Sequence, residues 1–204
     1  MNRRTVKLLI PLLLILLLGS ASLMANPTAI RELMKQPAHV QSNFPFDPSK
    51  PILDRVAVAP DFVMTFLKNM DGRTDYRPYF LNGKERSLLS NNLALLPDRM
   101  LKVFDTSLVA IYFIQNFLGS GMADFVLDRD GNLKTVLYIN PATMKNDISE
   151  WLTFKENSCF IPDSQASVRI WCGTNHTGLL YILLHEGTHI VDYVQAVTPY
   201  IEKS

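Results

Sequence analysis

The stretch from Gly178 to Val197 (GLLYILLHEGTHIVDYVQAV) constrains this chain more than any other. Leu179, Leu180, Ile182, Leu183, Leu184, Ile190, Val191, Val194 and Val197 give it an apolar character that a solvated helix cannot carry. Thr174, Asn175 and Thr177 supply capping side chains before it, and Pro199 stops it. A long helix of this kind must be buried against another layer. Yet it carries His185, Glu186 and His189 at its centre, and three of the four histidines (His176, His185, His189) fall in or just before it.

The preceding residues read as the layer that receives the helix. Leu108–Phe117 (LVAIYFIQNF) is β-branched and aromatic, the composition of a buried strand. Ala123–Asp128 and Leu133–Asn140 flank Arg129-Asp130-Gly131-Asn132, which predicts a β-hairpin whose Asp-Gly supplies the positive φ of a tight turn. Ser167–Cys172 (SVRIWC) reads as a further short strand. Helices are expected over Asp61–Lys68, Glu85–Leu96, Asp98–Val103 and Asp147–Lys155, the last with Asp147 and Glu150 at capping-box spacing. Asp71-Gly72 and Asn82-Gly83 mark turns. The expected class is α+β: helices, a small and mostly antiparallel sheet, then one long helix across it.

Six prolines between Asn26 and Pro60 leave room only for a short helix near Thr28–Gln36, so residues 26–60 read as a linker or a strap over the domain, with the globular part spanning 61–204. The first 25 residues have a different character. Arg3, Arg4 and Lys7 precede an apolar run from Leu8 to Leu18, followed by Gly19, Ser20, Ala21, Ser22 and Ala25, the three-part pattern of a secretory signal peptide. The run is short for a bilayer span, which takes about 20 apolar residues. Export to a periplasmic or extracellular location is the expectation; the alternative is an uncleaved anchor, the only route to a membrane. In an oxidising compartment Cys159 and Cys172 are expected to form a disulfide, with two unpaired thiols or a zinc pair as the other readings.

With 20 Lys and Arg against 19 Asp and Glu, and only 19% charged residues, the chain lacks the charge excess of an electrostatic nucleic-acid binder and the bias of a coiled coil or disordered tail. Its chemistry is concentrated in His185-Glu186-Gly187-Thr188-His189. One helical turn apart, the two imidazoles share a face and can reach one ion at about 2.0–2.1 Å. Glu186 points about 100° round the helix and is suited to hold water as a general base rather than to bind the ion. The apolar neighbours are expected to bury the motif and surround the ion with a dry wall.

On His185, Glu186 and His189 the sequence resembles the zincin metallopeptidases. The resemblance implies a zincin-like lobe with an edge strand and a long active-site helix, Zn²⁺ as cofactor, and a peptide or protein substrate laid along an edge strand before that helix. Ser167–Trp171 stands in the place of that strand. More loosely, YFIQNFLGSGMADFVLDRDGNL, EWLTFKEN and YILLHEGTH look similar to exported bacterial proteins described as metallopeptidases without an assigned substrate. This longer similarity covers about half the chain.

Catalytic zinc sites generally have three protein ligands. The metzincin pattern wants a third His where Gln195 stands; the gluzincin pattern wants a Glu some way downstream, and Glu202 is the only one. The candidates are Glu202 folding back after Pro199, Asp192, or His176; a further alternative is a ligand beyond Ser204, the domain being incomplete at that end. For Asp192 a supporting hydrogen bond to an imidazole is preferred, with a solvated surface carboxylate as the bland reading. Tyr193 and Tyr200 are candidate hydrogen-bond donors to a tetrahedral intermediate; Trp151 and Trp171 read as core or cleft wall. The expected activity is zinc-dependent peptide hydrolysis. The alternatives are a non-catalytic zinc-binding or interaction domain of the envelope and an exported structural or inhibitory protein without a metal.

Overall fold

The computed structural model describes residues 34–161, 167–173 and 175–197. The expected export segment (1–25), all but the last three residues of the helix expected over Thr28–Gln36, Tyr200 and Glu202 lie outside the described residues.

Among the described residues, five strands form one sheet: β1 (Val56–Ala57), β2 (Arg77–Tyr79), β3 (Leu108–Gln115), β4 (Gly121–Leu127) and β5 (Leu133–Ile139). Among the same residues, five α-helices surround it: α1 (Asp61–Asp71), α2 (Gly83–Leu93), α3 (Asp98–Ser107), α4 (Ile148–Asn157) and α5 (Gly178–Gln195). The helices expected from Asp61 onwards and the hairpin are present. The sheet, however, is mixed rather than mostly antiparallel. β1 and β2 lie end to end along one edge of β3, β1 parallel and β2 antiparallel; β5 lies parallel to the other edge of β3 and pairs antiparallel with β4.

That order follows from which strands can be covered on both faces. Val136, Leu137, Tyr138 and Ile139 of β5 are wholly buried, so β5 goes inside beside β3. β4 carries Gly121, Met122 and Ala123 half-exposed and takes the outer edge. Ile111, Phe113, Leu137 and Ile139 face α2, α3 and α5, whereas Tyr112, Ile114, Val136 and Tyr138 face Val63, Met64 and Leu67 of α1. The sheet is therefore packed on both sides.

The described part of the proline-rich segment packs on the domain as a strap. Its 3₁₀ turn Pro37–His39 buries Ala38 and His39 against α1 and β4, and Val40 makes a parallel bridge to Leu127 of β4. Further 3₁₀ turns follow at Gln41–Asn43 and Ile52–Arg55, the latter leading into β1.

Residues 167–173 do not join the sheet. They run extended along α4: the Val168, Ile170 and Cys172 amides donate to Asn157 Oδ1 (3.1 Å), Thr153 Oγ1 (3.0 Å) and Ser149 Oγ (2.9 Å). The β-like composition of SVRIWC is satisfied by polar side chains spaced along a helix, so the expected edge strand Ser167–Trp171 is corrected to a helix-bound segment.

The same arrangement separates the cysteines, which are free and exposed rather than bridged. Cys172 stands beside Ser149 in the first turn of α4, whereas Cys159 lies past its last turn, its thiol directed at the Lys155 carbonyl at 3.5 Å. About ten residues of rise, or about 15 Å, lie between those ends, against a Cα separation of roughly 4.4–6.8 Å for a disulfide. Native protein without reductant or denaturant is expected to titrate two reactive thiols; a count near zero would contradict this placement.

Candidate metal centre

α5 is seated by close approaches that only small residues allow. A Cβ on Gly187 would stand 2.4 Å from Met100 Sδ and 3.1 Å from Phe104 Cζ, so α5 packs directly on α3 at that turn. A Cβ on Gly121 would stand 2.5 Å from Ile182 Cγ2 and 3.2 Å from Glu186 Cγ, so β4 lies equally close to α5. Leu179, Ile182, Leu183 and Ile190 complete the buried face.

These contacts fix the rotation of the helix and divide the motif between two environments. Glu186 is buried, with 7% exposure, and its Oε2 accepts the Ala123 amide of β4 at 2.8 Å. Its Oε1 lies 4.0 Å from His185 Nε2. His185 and His189 instead face solvent, their rings 5.0 Å apart and nearly perpendicular at 83°. The expected dry wall is thus corrected: the apolar residues bury the carboxylate side of the helix and leave the imidazole side open. Spacing explains the split, because residues 179, 182, 183, 186 and 190 share one face and 181, 185 and 189 the other.

The open face carries an aromatic column. Tyr181 stacks on His185 at 5.6 Å and Tyr193 on His189 at 6.2 Å, each one helical turn away. Lys155 of α4 reaches the Tyr181 ring at 5.2 Å and its hydroxyl at 3.4 Å. Burial, with Asp124, Glu186 and Asp192 nearby, pushes the Tyr193 phenol above its ordinary pKa and keeps it a neutral donor. Tyr181 was findable from its spacing to His185. The Ala123 amide was not, since it meets Glu186 across 63 residues of sequence.

The donor chemistry of two adjacent, solvent-facing imidazoles suits a zinc ion, but among the described residues no third His, Cys, Asp or Glu side chain joins them. Among the described residues no group of three His, Cys, Asp or Glu side chains is placed to hold a metal. Asp192 and His176 therefore do not complete the centre. His176 is exposed in the turn before α5, where its carbonyl accepts the Ile148 amide at 2.8 Å. Trp151 is buried against Gly178 at the start of α5, as a core residue, whereas Trp171 is exposed.

Next to Ala123, Asp124 is a buried carboxylate on the outer strand. Its Oδ1 accepts the Phe125 amide at 2.8 Å, and burial raises its pKa against the opposing influence of His39. The protonated form suits the fold best, so the contribution of Asp124 to stability is fully present below the ordinary aspartate pKa and is lost as pH rises through the raised value. Asp124→Asn retains an acceptor for Phe125 and removes the charge. It is expected to melt higher than the parent at neutral pH and to converge with it near pH ~4. Melting curves across that range check this, and a lower neutral-pH Tm for the variant would contradict it.

No family model matches the chain, and neither a curated protein nor a solved structure matches it.

Proposed function

We propose that the protein is an exported zinc-dependent metallopeptidase of zincin type, with His185 and His189 as zinc ligands and Glu186 as the general base. The observation that carries this reading is the division of the motif: two adjacent imidazoles open to solvent, and beside them a carboxylate anchored to a strand amide. The three-part pattern of residues 1–25 supports export.

Zinc, when bound, supplies a Lewis acid that acidifies water and polarises a peptide carbonyl. The chain supplies orientation and proton transfer. The Ala123 amide holds Glu186 Oε2, which leaves Oε1 turned towards the histidine side. Oε1 takes the proton of the attacking water and returns it to the leaving amine. Tyr193, kept protonated, is the nearby phenol suited to donate to the developing oxyanion.

A second reading, a non-catalytic zinc-binding or interaction domain, is favoured by the two-ligand set among the described residues. The two readings share the metal and differ in turnover. Purified protein is expected to hold about one zinc per chain, with His185→Ala and His189→Ala each weakening zinc by about tenfold or more. Elemental analysis after dialysis measures this, and a peptide-library cleavage assay separates the readings. Undiminished zinc in both variants would overturn the ligand assignment; zinc without cleavage would leave the binding domain.

A further inference from the structure

The strand edge nearest Glu186 is already occupied by the chain's own groups. Alternate residues of β4 direct their amides and carbonyls away from β5, and these are the groups with which an extended peptide would pair. The Ala123 amide donates to Glu186 Oε2 at 2.8 Å and the Phe125 amide to Asp124 Oδ1 at 2.8 Å. The Phe125 carbonyl pairs with His39 Nδ1 at 3.0 Å, and Leu127 is bridged by Val40. From Ala123 to Leu127 a substrate strand finds its partners taken.

Resting on the metallopeptidase reading above, we propose that this site takes short peptides or peptide ends and excludes extended polypeptide, the strap around His39 being the element that sets the limit. The strap is firmly seated. His39 is 5% exposed, stacked on Phe125 at 4.9 Å and edge-on to Phe66 at 5.1 Å, and Ala38 beside it is 1% exposed. What remains beside Glu186 is the edge formed by Gly121 and Met122, short of the Ala123 amide that Glu186 holds. At roughly 3.4 Å per residue it accommodates about two to three residues of substrate main chain. A longer substrate must extract a buried imidazole and break its bond to Phe125.

The test is a length series on the zinc-loaded protein: a tripeptide amide and a ten-residue peptide with the same scissile bond at its centre. The tripeptide is expected to be favoured by about tenfold or more in kcat/KM, a difference of ~1.4 kcal/mol or more in transition-state stabilisation. His39→Ala is expected to raise the rate on the long peptide by a similar factor and leave the short one unchanged. The length series on the parent needs no variant and stands even if His39→Ala folds poorly. A readout independent of turnover is hydrogen exchange in β4 with an uncleavable ten-residue analogue: no added protection in the parent, added protection in His39→Ala. Equal hydrolysis of both lengths by the parent, or protection of parental β4 by the analogue, would overturn the length limit and leave the peptidase reading standing. If neither protein cleaves any length, the peptidase reading fails and the substrate assignment fails with it.

Discussion

Glu186→Gln is expected to keep zinc at the parent's stoichiometry and the parent's melting temperature within a degree or two, while lowering peptide hydrolysis by about a thousandfold. The two halves of that result come from the two oxygens of one carboxylate. Oε2 is structural: it accepts the Ala123 amide at 2.8 Å and ties α5 to β4. A glutamine oxygen accepts the same bond, so the fold has no reason to change. Oε1, 4.0 Å from His185 Nε2, is the proton acceptor in the proposed mechanism, and an amide nitrogen in its place has no basic lone pair. Glu186→Ala differs in a diagnostic way. It abolishes hydrolysis too, but strands the Ala123 amide in a half-buried position at a cost of about 1–3 kcal/mol. Zinc content, melting curves and kcat/KM on one peptide, measured for both variants, separate the roles. Unchanged hydrolysis in Glu186→Gln would reduce Glu186 to a strand anchor and remove the base from the mechanism.

What the sequence revealed of this site depended on the range of the interactions involved. The helix Gly178–Gln195, the shared face of His185 and His189 and the Asp147–Glu150 capping box are local, and spacing was enough to find them. The hairpin β4–β5 was legible for the same reason, its turn organised by Asp128 and Gly131 within a few residues. Which side of α5 is buried was not legible. Apolar residues both precede and follow the motif, and it takes the distant contacts, Met100 and Phe104 meeting Gly187 and Ile182 and Glu186 meeting Gly121, to turn the imidazoles outwards. The order of the strands was hidden likewise, because β5 slips between β3 and β4 by virtue of being apolar on both faces. SVRIWC shows the reverse error: a strand-like composition whose hydrogen-bond partners are the side chains of a neighbouring helix. A third ligand for the proposed zinc was open in the sequence, and among the described residues neither Asp192 nor His176 forms a three-donor group with the two histidines.

Arg55→Met is expected to be the most destabilising single substitution of a polar residue among those discussed, by about 3–5 kcal/mol, through lost bonds to backbone carbonyls. Arg55 is 4% exposed and holds separate parts of the chain together. Its Nη1 donates to the carbonyls of Phe104 and Leu108, both at 2.8 Å, where α3 ends and β3 begins. Its Nη2 donates to the backbone carbonyls of Asp105 at 2.9 Å and of Lys50 at 3.0 Å in the strap, and its face lies 5.2 Å from the Phe46 ring. Methionine fills much of the volume but donates nothing, so the buried Leu108 carbonyl loses the guanidinium and the buried Phe104 carbonyl keeps only the Leu108 amide. Those carbonyls cannot be rescued by water without opening the junction. For a domain of this size the loss corresponds to a fall of about 10 °C in Tm. Arg55→Lys, with three donors on one nitrogen, is expected to recover only part of it, because a single ammonium cannot span the α3–β3 junction and the strap together. The strap should loosen before the core does. In Arg55→Lys, limited proteolysis is expected to cut near residues 44–51 at temperatures where the parent resists, with β3 and β5 still protected from hydrogen exchange. A variant as stable as the parent, with an uncut strap, would show that these backbone bonds are replaceable and that burial of the Phe46 and Ile52 side chains alone holds the strap on the domain.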